Sequence, residues 1–155
     1  MRILLSKERG SYPLNCRERL RNVLSLAQKL AGLDDFKGTL NVVVTSKSTM
    51  AAMNWDFLRH EGTTDVLTFD LRDQGVQSED ETVAEIYVCP EVAFDFSRKF
   101  GTSPSSELVL YMVHGMLHLA GEDDLTEAQR ESMRAAESRL MDALRLRHNL
   151  EGFIS

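Results

Sequence analysis

The most constraining feature of this 155-residue chain is a segment that is apolar on almost every side of the helix it predicts. Ser103 and Pro104 begin the segment as an N-cap and a first-turn proline, and Gly121 ends it. The apolar positions between them fall on all faces: Leu108, Val109, Leu110, Tyr111, Met112, Val113, Met116, Leu117 and Leu119. A helix of this kind is buried on most of its faces. His114, Gly115 and His118 interrupt the run well short of the ~18 residues of a membrane span, so no membrane association is expected.

The remaining segments predict strands early in the chain and helices late. Short apolar and β-branched runs predict strands at residues 2–6, 39–45, 66–71 and 83–89. Helical spacing and capping residues predict helices at residues 15–32, 46–58, 90–101 and 126–147, with Asn15 as the first N-cap and Thr126–Gln129 as a capping box. Residues 60–64 are expected to form a polar loop and residues 73–81 a long turn. The sequence thus predicts an α+β fold, with about four strands covered by helices, as a single domain over residues 1–155.

Charge is unevenly distributed along the chain, whose net charge is −6. A general nucleic-acid binder is usually basic, because neutralised phosphates supply most of its affinity. Residues 1–33 carry seven basic and two acidic side chains (+5), whereas residues 70–91 carry seven acids and one arginine (−6). Charge alone favours two solvated surfaces, although a basic face remains compatible with it. Cys16 and Cys89 show no metal-binding or disulfide spacing. The apolar run Ile3–Leu5 after Arg2 is too short for the apolar region of a secretory signal, so we expect a reduced, cytoplasmic setting.

Two histidines on the apolar helix carry the clearest chemical signal. His114 and His118 are four residues apart, so both imidazoles project from one face, as in helices that bind zinc. Two buried imidazoles without partners would cost ~1–3 kcal/mol each, and a shared metal ion satisfies both. Gly121 can reverse the chain and return Asp124 as a third ligand, leaving a vacant position for water. Glu122 and Asp123 remain alternatives to Asp124, because carboxylates before a helix also serve as caps.

The residue after the first histidine separates the possible reactions. Zinc peptidases of the HExxH type carry their general-base glutamate at this position, but here it is Gly115. This difference counts against a metalloprotease and favours metal-activated water attacking a phosphodiester, assisted by a guanidinium. A non-haem iron oxygenase also uses two histidines and a carboxylate, but usually on strands of a barrel.

Four blocks of the chain, in order, resemble the bacterial YbeY endoribonuclease family. HGMLHLAGEDD, from residue 114, resembles the family signature, which reads approximately HGxLHLxGYDH. NWDFLR followed by TDVLTF resembles the family's arginine loop and TDVLSF, and AEIYVCPE is similar to its GDI strand and helix start. Met133 and Glu137 fall where the family's last helix carries a methionine and a glutamate.

The resemblance implies a fold, an activity and a set of site residues. The fold would be a small mixed sheet with a zincin-like metal helix at one side. The activity would be that of a hydrolase, a single-strand-specific endoribonuclease for 16S rRNA 3′-end maturation and ribosome quality control, with rRNA and the small ribosomal subunit as partners. One zinc ion, or manganese or another divalent metal, would be bound by His114, His118 and Asp124, with no organic cofactor. His114 and Arg59 would carry catalysis, with Arg59 on the scissile phosphate. From the residues alone, the preferred interpretation of Arg59 is a loop arginine paired with Asp56 or Glu61.

This sequence also departs from the family pattern. Asp124 stands where the family has histidine, Glu122 where it has tyrosine, and Glu85 where it has the aspartate of GDI. Two histidines and a carboxylate still form a catalytic zinc site, and the carboxylate admits harder ions such as manganese. The added acidity leaves a second interpretation, a catalytically weakened or inactive RNA- or ribosome-binding protein of the same fold. Its RNA contacts would come from Arg17, Arg19, Arg21 and Lys29.

Overall fold

A computed structural model describes residues 1–58, 64–72 and 80–155. Along this part of the chain the elements are β1 (Arg2–Lys7), α1 (Arg17–Leu30), β2 (Thr39–Val44), α2 (Lys47–Leu58), β3 (Val66–Asp70), β4 (Thr82–Val88), α3 (Pro90–Phe100), α4 (Pro104–Leu119) and α5 (Glu127–Arg147). Each predicted strand and helix is present, with ends shifted by a residue or two. None of the described helices is both long and apolar enough to cross a membrane.

The strands form one mixed sheet in the order β1-β2-β4-β3. β1, β2 and β4 are parallel, and β3 pairs antiparallel to β4 with Val66 opposite Val88. β2 and β4 occupy the centre, and the side chains of Val42, Val44, Ile86 and Val88 are fully buried there. The expectation of an α+β fold with a small mixed sheet of about four strands packed with helices is therefore confirmed.

Helix α4 is the buried helix that the apolar segment predicts. It packs against β3 and β4 of the sheet and against α1, α3 and α5. The Ser103 hydroxyl caps it by accepting from the Ser106 amide, with Pro104 in the first turn. At Gly115 the helix approaches the sheet so closely that a Cβ atom would lie 2.9 Å from Ile86 Cγ2 and 2.9 Å from Thr68 Oγ1. Glycine therefore sets how closely α4 can approach the sheet.

The first helix begins differently from the sequence expectation. Asn15 is not its N-cap, because α1 starts at Arg17 and the capping position is Cys16, in the left-handed conformation with φ 54°. The Asn15 amide instead donates to the carbonyl of Phe153, 2.8 Å away. Arg19 contacts the same C-terminal segment, since its guanidinium donates to the carbonyls of Asn149 and Glu151. Hydrogen bonds thus join the start of α1 to residues 149–153.

Some of the sequence-based expectations lie outside the described residues. Arg59 and most of the polar loop at 60–64 lie in the first gap of the description, and most of the turn at 73–81 lies in the second. The capping box at the start of α5 is confirmed. The Thr126 hydroxyl accepts from the Gln129 backbone amide, and the Gln129 side-chain oxygen accepts from the Thr126 backbone amide.

Candidate metal centre

The chain reverses immediately after α4, in the way that the glycine predicts. Gly121 has φ +103°, its amide donates to the carbonyl of His118, and the amide of Glu122 donates to the carbonyl of Leu117. These two bonds form a Schellman motif, which stops a helix and turns the chain back. Residues 122–124 consequently run back past the last turn of α4, where both histidines lie.

Each histidine is oriented by a hydrogen bond at its Nδ1 atom. His114 Nδ1 is 2.6 Å from Glu137 Oε1 on α5, and His118 Nδ1 is 3.0 Å from the backbone carbonyl of Glu122. A carboxylate and a carbonyl only accept hydrogen bonds, so Nδ1 carries the proton in both rings. In the neutral form of each ring this tautomer leaves Nε2 unprotonated, which is the form that binds metal ions.

The unprotonated atoms of three side chains converge at one point. The two Nε2 atoms are 3.0 Å apart, and Asp124 Oδ2 lies 3.4 Å from His114 Nε2 and 3.6 Å from His118 Nε2. Among the described residues, these three form the group of histidine, cysteine and acidic side chains that could hold a metal ion. Tetrahedral ligands at roughly 2.0–2.2 Å from zinc are about 3.3–3.6 Å apart, so only the His114–His118 separation would have to widen, by about 0.3 Å.

One cation can satisfy all three of the converging acceptor atoms. With both Nδ1 protons directed outward, the lone pairs of His114 and His118 point at each other and at the Asp124 carboxylate. The side chains are 20%, 25% and 39% exposed, so water screens their repulsion only in part. A divalent ion removes the repulsion and satisfies all three acceptors. The donor set therefore fits the zinc ion expected from the sequence.

The electrostatic environment of His114 also favours positive charge. Burial acts to lower its pKa, but the hydrogen bond and charge of Glu137, with the charges of Asp65 and Asp124, outweigh burial, and the pKa of His114 is raised above its usual value. The carboxylates that stabilise an imidazolium would stabilise a metal ion held by the same ring.

The two alternative third ligands face elsewhere. The Glu122 carboxylate accepts a hydrogen bond from the Ser132 hydroxyl on α5, at 3.0 Å. Asp123 Oδ1 lies 4.0 Å from His118 Nδ1, and that nitrogen is already hydrogen-bonded to the Glu122 backbone carbonyl. Of the three consecutive acids, Asp124 is the one whose carboxylate faces both Nε2 atoms.

The three side chains lie on one wall of an open cleft of about 340 Å³. The opposite wall is β3 with the two residues before it, and the lining is Thr64, Asp65, Val66, Leu67, Thr68, Phe69, Asp70, His114, His118, Leu119 and Asp124. The Arg72 guanidinium donates a hydrogen bond to each carboxylate oxygen of Asp70, at 2.8 Å to Oδ1 and 2.6 Å to Oδ2. Asp65 accepts a hydrogen bond from the Thr64 hydroxyl at 3.3 Å. The Thr68 hydroxyl is buried and has no hydrogen-bond partner among the described residues.

Sequence reasoning identified the converging side chains but missed parts of their surroundings. Glu137 entered only as a residue that matches a family pattern, although it is a carboxylate one turn beyond buried Met133 on α5. An acid on the buried stripe of an amphipathic helix signals a buried partner, here His114. Asp65 and Thr68 had no signal of this kind, since only the pairing of β3 with β4 brings them beneath α4.

The comparisons with known proteins agree with one another. The family model described as Endoribonuclease YbeY matches residues 5–145. A relative named Endoribonuclease YbeY from Salinibacter ruber is 35% identical over 118 residues, covering 71% of this chain and 75% of its own length. One from Protochlamydia amoebophila is 33% identical over 106 residues, covering 68% and 70%. The solution structure of TM1509 from Thermotoga maritima matches with a TM-score of 0.61 and 25% identity, covering 92% of this chain and 88% of that one.

Proposed function

Because the chain belongs to the YbeY family, we propose that it is a metal-dependent endoribonuclease that cleaves single-stranded RNA. The relatives are named as endoribonucleases, which makes this chain a hydrolase of the nuclease class with a role in rRNA processing. Within that role we assign it to 16S rRNA 3′-end maturation and ribosome quality control. It would act in the cytoplasm as one domain, with rRNA and the small ribosomal subunit as partners.

The observation that carries this proposal is the convergence of three possible metal-ligand atoms on one wall of an open cleft. His114 and His118 would bind one divalent ion through Nε2 and Asp124 through Oδ2. Three protein ligands leave a coordination position free, as in catalytic sites rather than structural ones. Zinc suits the two imidazoles, and the carboxylate also admits manganese. When bound, such an ion supplies activated water and polarises a phosphoryl oxygen.

Other side chains would orient the metal ligands and bind the substrate phosphate. Glu137 and the Glu122 carbonyl fix the ring orientation and tautomer of the two histidines, so that both Nε2 atoms are presented together. Arg59, on the family's arginine loop, would hold the scissile phosphate through its forked guanidinium and neutralise charge that develops there.

Peptide hydrolysis is disfavoured by the packing of α4. The position that carries the general base in HExxH peptidases is Gly115, and its Cβ direction points at Ile86 and Thr68 in the sheet rather than into open space. A glutamate there would collide with β3 and β4. We therefore expect no digestion of casein at neutral pH by the metal-loaded protein.

An RNA digestion assay tests the proposal. The wild type should cleave an unpaired RNA oligonucleotide, and His114→Ala, His118→Ala and Arg59→Glu should abolish cleavage. Arg139→Glu is the matched control for the charge reversal, because Arg139 is exposed on α5. Cleavage that survives removal of both histidines would refute the mechanism. RNA binding by a metal-loaded wild type without cleavage would instead identify the inactive RNA-binding alternative.

A further inference from the structure

Strand β3 is an outer strand of the sheet and lies beside the candidate metal centre. The strand order β1-β2-β4-β3 places β4 on one side of β3 and no described strand on the other. Every residue from 64 to 70 lines the cleft that also contains His114, His118 and Asp124. A substrate group that reaches those three side chains therefore faces β3 across the cleft.

The cleft follows the edge of β3 rather than one face of the strand. Successive side chains of a strand point to opposite faces of the sheet. Thr68 faces α4, because its Oγ1 atom lies 2.9 Å from the Cβ position of Gly115, whereas Phe69 on the other face contacts the Tyr87 ring. Both Thr68 and Phe69 line the cleft. A cavity that touches residues of both faces runs along the edge of the strand, where the backbone is accessible.

The pairing of β3 with β4 determines which backbone groups point into the cleft. The two strands are antiparallel, and the Leu71 amide donates to the Val83 carbonyl at 2.8 Å. Because paired and unpaired positions alternate along an outer antiparallel strand, Leu67 and Phe69 also pair with β4. The residues between them direct both amide and carbonyl away from β4. We call these backbone groups the free edge, formed by Val66, Thr68 and Asp70.

Neutral hydrogen-bond donors suit an RNA strand in this cleft. Asp65, Asp70 and Asp124 line it, and no lysine or arginine is among the described residues of the lining. Backbone amides bind phosphate oxygens without a charged side chain. The amides of Val66 and Thr68 are two residues apart on one edge, which separates them by about 7 Å. This distance is close to the separation of neighbouring phosphates in an extended strand.

The carbonyl groups of the free edge add a second kind of contact. A ribose 2′-hydroxyl can donate a hydrogen bond to a carbonyl, and this hydroxyl distinguishes RNA from DNA. The RNA backbone therefore offers acceptors for the edge amides and donors for the edge carbonyls, whereas the DNA backbone offers only the acceptors.

We propose that the free edge of β3 binds the sugar–phosphate backbone of RNA opposite the metal centre. The amides of Val66 and Thr68 donate to phosphate oxygens, and the carbonyls of the same residues accept from 2′-hydroxyls. This inference rests on the proposed function and specifies how its substrate is recognised.

Proline substitution tests the contact by removing one edge amide without changing a charge. Proline is accepted at the first residue of a strand and on edges with an unpaired amide, and Val66 is the first residue of β3. Fluorescence anisotropy of a labelled single-stranded RNA of roughly 12 nucleotides measures binding to the metal-loaded protein, and gel analysis verifies that the RNA is intact. Val66→Pro should weaken binding about 10- to 150-fold, as expected for a lost hydrogen bond to a charged group. Thr68→Pro should have a similar effect.

Ile3→Pro is the matched control. Ile3 lies on β1, the opposite outer strand of the sheet. The Arg2 amide donates to the Gly38 carbonyl, so by alternation the Ile3 amide points outward, as that of Val66 does. Ile3→Pro should leave RNA affinity unchanged. Urea unfolding verifies that each variant is folded, and Leu67→Pro, which removes an amide paired with β4, should have a lower urea midpoint than Val66→Pro.

Amide hydrogen exchange, measured by NMR, tests the same contact without a substitution. In the free protein the amides of Leu67 and Phe69 should exchange slowly and those of Val66 and Thr68 rapidly. Adding the RNA should slow exchange at Val66 and Thr68. A DNA strand of the same sequence should bind about 2- to 10-fold more weakly for each 2′-hydroxyl contact that it lacks.

The outcomes separate this inference from the proposed function. Weaker RNA binding by Val66→Pro, with Ile3→Pro unchanged and exchange slowed at the free edge, supports the contact. A wild type that cleaves RNA without slowing exchange at the free edge, or that binds DNA as tightly as RNA, overturns the inference and leaves the proposed function intact. Slowed exchange with casein but not with RNA assigns the free edge to a polypeptide and also overturns the inference. A metal-loaded wild type that neither binds nor cleaves the RNA overturns both.

Discussion

Replacing Glu137 tests whether the geometry around His114 is arranged for a metal ion. The Glu137 carboxylate accepts from His114 Nδ1 at 2.6 Å, and the two side chains are only 18% and 20% exposed. Losing a carboxylate that orients a ligating histidine typically lowers metal affinity 10- to 100-fold, about 1.4–2.7 kcal/mol. Glu137→Gln keeps an acceptor oxygen and loses the charge, so we expect a fall of about 10-fold, whereas Glu137→Ala removes both and should approach 100-fold.

The affinity can be measured by competition against a chromophoric zinc chelator. Glu131→Gln is the control, since Glu131 is exposed on the same helix, and it should bind zinc as tightly as the wild type. Urea unfolding of the metal-free proteins checks that the variants fold. A folded Glu137→Ala with wild-type zinc affinity would refute the assigned role of the Glu137–His114 contact.

Three further substitutions test the scaffold by urea unfolding. Gly115→Ala places a methyl 2.9 Å from Ile86 and Thr68, so its free energy of unfolding should fall by about 1–3 kcal/mol; an unchanged value would contradict the close packing of α4 on the sheet. Gly121→Ala meets no atom within 4 Å but keeps φ +103°, so it should cost about 1 kcal/mol from backbone strain alone, and no loss would contradict the left-handed turn. Hydrogen bonds from Thr45, Thr49 and the Ser46 amide lower the pKa of Glu8 from 4.5 to about 2. The stability that Glu8 contributes is therefore complete above pH 4.5 and is lost as the pH falls toward 2. Glu8→Gln should reduce unfolding free energy by about 1–2 kcal/mol at neutral pH and flatten this dependence; an equally steep acid limb would exclude Glu8 as its source.

Local signals in the sequence predict much of the fold. The cap at Ser103, the capping box at Thr126 and the left-handed Gly121 each depend on a few neighbouring residues, and each is confirmed. The start of α1 does not follow local signals. Asn15 is of a residue type that often caps helices, but α1 starts two residues later. The Asn15 amide donates to the Phe153 carbonyl, and no local pattern in the sequence reveals that contact.

The candidate site, like the fold, could be predicted from local sequence only in part. The i,i+4 spacing of His114 and His118 places both rings on one face, and Gly121 returns Asp124 to them, so the three side chains could be grouped from sequence. Asp65, Thr68 and Phe69 reach the cleft only because β3 is added antiparallel to β4 beneath α4. Strand order is a property of long-range pairing, and the spacing of residues along one strand carries no information about it.

The most direct test of the account is the number of zinc ions that the purified protein holds. Elemental analysis after loading and dialysis should find one ion per chain in the wild type, and far less in Asp124→Asn and in the double variant His114→Ala/His118→Ala. Asp123→Asn, which changes the neighbouring acid, should keep the full ion. An undiminished ion content in the double histidine variant, or none in the wild type, would contradict the claim that these side chains form a metal centre.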